Sequence, residues 1–416
     1  MEIEIGRGKK ARRAYGFDDI AIVPSRRTRD PDDVDLSWTL GPYRFELPLL
    51  ASAMDGVVSP QTAGIVGNLG GLAVLNLEGI WTRYEDAESQ LEKIASFPKE
   101  TATRQMQEVY KEPVKAELVA QRIREVKDQG VVCAASLTPQ KVNKFYELAL
   151  EAGLDMLIIQ GTVVSAEHVS QTSEPLNLKE FIREVPVPVV VGGCASYQTG
   201  LHLMRTGAKG VLVGVGPGHA CTTRGVLGIG VPQATAIADV AEARTEYLKE
   251  SGDYVKVIAD GGMRTGGDIS KAIVMGADAV MVGSPLARAY EAPGKGYHWG
   301  MATFHPTLPR GARVKTTQNG SLEQILNGPA LENDGTFNLM GSLRTSMATC
   351  GYEDILDFQR AEVMVAPALQ SEGKSLQREQ AVGMGATGAA APAPQPTETL
   401  SNGLNQDAIL ETVSSN

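Results

Sequence analysis

A thiol set among glycines carries the first chemistry this chain offers. Cys221 sits in GVGPGHACTTRG (214–225), preceded by three glycines and a proline and followed by Thr222, Thr223 and Arg224. A glycine-rich loop exposes shaped backbone N–H and C=O groups that can bind an ion and present a side chain. A thiol beside a cation in such a loop loses its proton more readily and becomes a nucleophile. The alternative is a small buried hydrophobe, the reading that fits Cys133 and Cys350. A second cluster is IADGGMRTGGD (258–268). Asp260 offers a carboxylate suited to two neighbouring ribose hydroxyls, and Gly261 and Gly262 let backbone amides approach an anion. A helix expected through Asp268–Met275 would add its free N-terminal N–H groups. Gly283 and Ser284 offer the same kind of donor one strand later. One Gly-Gly pair is usually a mere turn, but two such loops on adjacent strands point to a phosphorylated ligand.

Eight short apolar runs must position these loops. They fall at 48–52, 71–75, 131–136, 155–160, 187–191, 210–214, 255–259 and 279–283. Their near-continuous apolarity is that of strands buried on both faces. Amphipathic stretches lie between them, such as 117–129, with Leu118, Ile123 and Val126 on one face, and 139–150, opened by Pro139. A weak repeat joins GAKGVLVG (207–214), GADAVMVG (276–283) and EAGLDMLII (151–159), each a helix end, a tight turn and a strand. The pattern predicts an α/β protein with a (β/α)8 TIM barrel, whose chemistry lies at the C-terminal strand ends. An open doubly wound sheet is the alternative. The barrel is expected as a single domain over 1–370. Residues 371–416 are expected to be a low-complexity tail, because 381–398 has too little apolar surface to offset its ordering entropy.

Composition narrows the function. A net charge of −10 over 416 residues does not suggest a nucleic-acid-binding surface. The basic N-terminal stretch is interrupted by acids and reads as a solvated arm. The cysteines show no CxxC spacing, which argues against a disulfide framework or zinc knuckle and fits a reducing cytoplasm. The start, MEIEIGRGKK, lacks an apolar signal region, and no run is long enough to span a membrane. A cytoplasmic protein with no membrane partner is expected.

The Cys221 loop and the two phosphate loops resemble the IMP dehydrogenase/GMP reductase family over about residues 16–367. FDDIAIVP (17–24) is similar to the family's N-terminal signature, and LASAMDGVVS (50–59) to its first strand and loop. GPGHACTTR (216–224) resembles its catalytic loop, IADGGMRTGGDISKAI (258–273) its phosphate segment and MVGSPLARAYEAPG (281–294) its last strand. NLMGSLRTSMATCGY (338–352) is similar to its C-terminal helix region.

The resemblance implies roles at matching positions. Cys221 would add to C2 of a purine nucleotide, and Thr223 would place the attacking water. Ser52 and Met54 would line the nucleotide pocket, Asp260 would hold the ribose, and Gly262, Gly283 and Ser284 the 5′-phosphate. Carbonyls of Gly216, Gly218 and Cys221 would coordinate K+. Further implications are NAD as cofactor, IMP or a related purine nucleotide as substrate, and a homo-oligomer, tetramer or octamer. GIGVPQATAI (228–237), and the absence of a glutamate in HWGMATFHP (298–306), favour the dehydrogenase reaction. The alternatives are the NADPH-dependent reduction of GMP to IMP and a catalytically silent nucleotide sensor. The interval 76–130 leaves no room for a CBS pair, as in the short CBS-less IMP dehydrogenase-related proteins of bacteria. The chain departs from the family's pattern at several positions. His219 replaces a phosphate-contacting serine, Leu212 an arginine beside the base, and Gln160-Gly161-Thr162 an Asp-Ser-Ser run that contacts NAD. The flap is short and lacks the usual Arg-Tyr pair. Arg310 is then the candidate for activating water, with Arg313, His298 and His305 nearby.

Overall fold

Each apolar run becomes a strand, and the strands close on themselves. The computed structural model describes residues 2–167, 175–300, 312–366 and 374–383. The strands are β1 (Leu49–Ala51), β2 (Leu72–Asn76), β3 (Ala134–Leu137), β4 (Met156–Gln160), β5 (Val189–Cys194), β6 (Gly210–Val213), β7 (Lys256–Asp260) and β8 (Ala279–Val282). All neighbours pair in parallel, and β8 pairs with β1 to complete a closed barrel. The open sheet is excluded by that last pairing. A helix follows each strand: α1 (Pro60–Asn68), α2 (Ala116–Lys127), α3 (Val142–Glu151), α4 (Leu178–Glu184), α5 (Tyr197–Met204), α6 (Gln233–Ser251), α7 (Gly266–Val274) and α8 (Leu339–Thr349). Helix α3 begins three residues after Pro139, since residues 139–141 form a turn instead.

Alternation along each strand explains the unbroken apolar runs. Leu50, Val74, Ile158, Leu212, Ile258 and Met281 pack together inside the barrel. Their neighbours Leu49, Leu75, Leu157, Val213, Val257 and Val280 join the outer core shared with the helices. A hairpin of Trp38–Leu40 and Tyr43–Phe45, not visible as periodicity because each strand has three residues, supplies Trp38, Leu40 and Phe45 to the inner cluster. Its turn residue Gly41 (φ +58°) presses on Pro188, just before β5, so the hairpin stoppers the N-terminal end of the barrel. The C-terminal end is left as the mouth.

Two further contacts hold the rim. Ile20–Ile22, within the N-terminal motif, pairs antiparallel with Val363–Val365. From the same motif the Phe17 carbonyl accepts from Lys271 Nζ (2.8 Å), and Asp18 accepts from Arg264 (2.7 Å), which clasps α7. The interval between β2 and α2 holds helices Ala87–Ser96 and Ala102–Val109. Most of the expected tail (371–373 and 384–416) lies outside the described residues, while 374–383 contains a short helix, Ser375–Glu379. No helix among the described residues is long and apolar enough to cross a membrane.

At the stoppered end, Asp278 is 1% exposed and gathers several elements. It accepts from Arg244 of α6 (2.9 Å), Tyr254 (2.8 Å) and the Val257 amide (2.8 Å). Replacing Arg244 by Met strands a buried carboxylate, which costs about 3–5 kcal/mol. A clear fall in Tm on thermal denaturation is expected, and an unchanged Tm would show that the pair does not hold this end together.

Candidate active site

The loop after β6 presents the thiol. The Cys221 amide donates to the Gly218 carbonyl (3.0 Å), making a turn from which Cys221 projects as the one exposed cysteine of the four. Its Sγ lies 3.2 Å from Oγ1 of Thr223, a buried residue that starts the helix Thr223–Leu227. By contrast, burial pushes the Cys133 and Cys194 thiols up to about 12, which keeps them inert. Arg224 does not play the part expected of a cation beside the thiol. Its guanidinium donates to the carbonyls of Val231 (2.6 Å) and Val215 (3.4 Å), and its stem lies between Gly216 and Gly230. A Cβ on either glycine would fall 2.5–2.6 Å from the Arg224 side chain, so both are needed for this strap.

The loop after β7 packs directly on the Cys221 loop. Gly261 (φ +79°) and Gly262 (φ +84°) are left-handed, and a Cβ on them would lie 3.3 Å from Gly218 and 3.0 Å from Pro217. Helix α7 itself contributes less than expected to an anion site. It begins at Gly266 rather than Asp268, its first amide donates to the Gly335 carbonyl (3.1 Å), and Thr265 caps the Asp268 amide (3.3 Å). Two of the amides at the helix end are therefore already engaged. Across the mouth, Gly283 approaches Met54 and Ser52 so closely that a Cβ would lie 2.7 Å from Met54 Sδ. The hydroxyl of Ser284 lies 2.7 Å from Nε2 of His298. His219, exposed on the Cys221 loop, sits with its ring 6.1 Å from that of His298.

Asp260 ends β7 at the mouth. Burial pushes its carboxyl up to about 6, against a hydrogen bond from Gln160 Nε2 to Oδ2 (3.1 Å) that favours the ionised form. Gln160, expected among the cofactor residues, is thus tied to the carboxylate expected to hold ribose. Gly161 has both backbone groups paired, its N–H to Gly192 (2.8 Å) and its carbonyl to the Gly193 N–H (3.0 Å). Leu212 lies wholly inside the barrel. Arg310 and His305 lie outside the described residues, and Arg313 is held away by the carbonyls of Ile94, Ala95 and Phe97.

Two residues at this site, Gln233 and Thr316, escaped the sequence reading, and His298, expected beside Arg310, lies instead against Ser284. Buried Gln233, in the VPQATA stretch, bridges the Val213 carbonyl (2.7 Å) and the Asp260 carbonyl (3.3 Å), joining the ends of β6 and β7. A polar side chain opening an apolar helix was its signal. His298 lies on a ribbon of Tyr297–His298 and Val314–Lys315, with Thr316 directly after it, and its two-residue strands carry no pattern.

The chain is similar to known proteins over most of its length. The model of the IMP dehydrogenase/GMP reductase domain matches residues 14–375. An uncharacterized oxidoreductase of Mycolicibacterium smegmatis is 47% identical over 372 residues, covering 87% of this chain and 99% of the relative. An inosine-5′-monophosphate dehydrogenase of Methanocaldococcus jannaschii is 26% identical, covering 87% of this chain and 95% of the relative. The crystal structure of an IMP dehydrogenase/GMP reductase-like protein from Corynebacterium glutamicum superposes with a TM-score of 0.83 at 46% identity, covering 88% of this chain and 97% of that one.

The raised Asp260 carboxyl has a readable consequence. A ligand that donates a vicinal diol needs the carboxylate, so its affinity is held above pH of about 6 and lost as pH falls through that value. Gln160→Leu removes the one hydrogen bond that opposes burial, so the midpoint should move to higher pH. Titrating binding of a purine ribonucleotide against pH for both proteins checks this, and coincident midpoints would exclude the Gln160 effect.

Proposed function

Because the chain belongs to the IMP dehydrogenase/GMP reductase family, we propose that it oxidises IMP to XMP through a covalent adduct on Cys221, with NAD as cofactor. The observation that carries this reading is an exposed thiol, hydrogen-bonded to Thr223, on a loop packed against the Gly261–Gly262 turn next to Asp260. In this reading the amides near Gly262 and Gly283, with the Ser284 hydroxyl and the His219 imidazole, hold the 5′-phosphate. Asp260 accepts from the ribose diol, and Ser52 and Met54 line the base. Anchored there, the purine reaches the Cys221 loop, where Sγ bonds to C2 and the ring nitrogen takes the displaced π pair. Thr223 Oγ1 first orients Sγ and later the water that attacks C2, displacing Sγ and leaving XMP. Arg310 is the proposed activator of that water.

A nicotinamide dinucleotide, when bound, supplies the hydride acceptor that oxidation of C2 requires. Gln160 and Thr162 would hold it through side chains, while Gly161, whose N–H is taken by Gly192, would have only the second lone pair of its carbonyl to offer. A monovalent cation such as K+ fits the Cys221 loop. The Gly218 carbonyl keeps one lone pair beyond its bond to Cys221, and those of Gly216 and Cys221 accept no backbone hydrogen bond from a described residue. Such a cation would hold the loop's shape. One observation favours the second reading, a nucleotide sensor without turnover: Gln160 is committed to Asp260.

The test is a steady-state assay of NADH formation with IMP, NAD+ and K+, beside GMP with NADPH. XMP production that Cys221→Ser abolishes, with IMP binding largely kept, is expected, together with a 6-chloro-IMP adduct on Cys221 by mass spectrometry. NADPH consumption with IMP as product would assign the reductase reaction. Nucleotide binding with neither turnover nor adduct would leave the sensor.

A further inference from the structure

Among the groups proposed to hold phosphate, the Ser284 hydroxyl is the one already engaged by another side chain. Its Oγ lies 2.7 Å from Nε2 of His298, and Nδ1 of the same ring lies 2.9 Å from Oγ1 of Thr316. His298 is fully buried on the first strand of the ribbon, and half-buried Thr316 directly follows the second. The ribbon is pinned at this point. A Cβ on Gly56, in the loop after β1, would lie 2.6 Å from the Tyr297 carbonyl and 3.2 Å from His298 Cα. A hydroxyl, an imidazole and a second hydroxyl thus form a fixed line ending at Ser284.

The direction of donation along this line decides what Ser284 can bind. A neutral imidazole has one N–H, so one nitrogen donates and the other accepts. Burial, with His219 nearby, holds His298 down to about 4, so the ring is neutral at pH 7. If Nδ1 donates to Thr316, Nε2 must accept the Ser284 O–H. Ser284 then offers an anion nothing but lone pairs. If instead the Thr316 O–H donates to Nδ1, the Nε2–H donates to Ser284 Oγ. The Ser284 proton is then free for a phosphate oxygen, which can only accept.

We propose that Thr316 and His298 are positioning residues that orient Ser284 as a donor to the nucleotide phosphate, so that the ribbon favours a phosphorylated nucleoside over the bare one. This rests on the reading of Ser284 as a phosphate ligand. Thr316→Val keeps the side chain's shape and removes the hydroxyl, donor and acceptor alike, so that nothing at Nδ1 fixes the tautomer.

Calorimetric titration with IMP and with inosine separates the two ideas. Wild-type protein should prefer IMP. Thr316→Val should bind IMP about ten-fold more weakly, the scale of a lost hydrogen bond to a charged group, with inosine affinity unchanged. Thr316→Ser should restore the wild-type ratio. A wild-type preference for IMP that survives intact in Thr316→Val overturns the relay and leaves Ser284 a ligand. A wild-type protein with equal affinities overturns the phosphate reading and the relay with it. A nitrogen-15 spectrum of the IMP complex gives an independent check. His298 should carry its proton on Nε2, and a proton on Nδ1 would overturn the proposal.

Discussion

Two backbone loops can share one ligand only if they come closer together than side chains normally permit. Here that approach is made by Gly261 and Gly262, whose left-handed turn lies so near Pro217 and Gly218 that a Cβ would sit 3.0–3.3 Å from them. Parallel pairing of β6 with β7 brings the two loops out side by side. Gln233 then ties the two strand ends together through one carboxamide nitrogen. On its other side the Cys221 loop is shaped by Arg224, laid between Gly216 and Gly230. The loop that carries the thiol and the strand end that carries the Asp260 carboxylate are therefore held by one clamp.

The two ends of the barrel treat buried charge differently. At the stoppered end, Asp278 is surrounded by donors: a guanidinium, a phenol and a backbone amide. At the mouth, Asp260 accepts one side-chain hydrogen bond, from Gln160, and its carboxyl rises to about 6. A buried charge with every partner in place avoids the cost of a stranded one, whereas an under-partnered carboxyl with a shifted pKa is the kind of group that marks a candidate functional site. That division follows the general asymmetry of such barrels, with stability at the N-terminal face and chemistry at the C-terminal one.

What the sequence makes legible follows from how local each signal is. The eight strands could be read because each is buried on both faces, so the apolar run itself is the record of the environment. Helix α7 starts at Gly266, two residues before the expected stretch; the Thr265 cap is a local signal, whereas the Gly335 carbonyl that takes the first amide comes from a distant segment. Adjacency in the chain pairs Arg224 with the thiol, yet its carbonyl acceptors at Val215 and Val231 draw it aside. Gln160 could not be assigned to Asp260 from sequence because the two lie on separate strands and meet only when the barrel closes. His298 and Thr316 meet across a ribbon too short to leave any periodic trace.

The pairing of Ile20–Ile22 with Val363–Val365 also bears on how the chain is made. During synthesis the first of these segments leaves the ribosome long before its partner exists. It must wait, with its hydrogen-bonding edge open, while all eight barrel strands are translated. An open edge is a template for pairing with the wrong chain. A segment of three residues offers such a template very little length. The order of translation thus favours a short closing strand, with the clasp on α7 through Phe17 and Asp18 available to hold the N-terminal arm until its partner emerges.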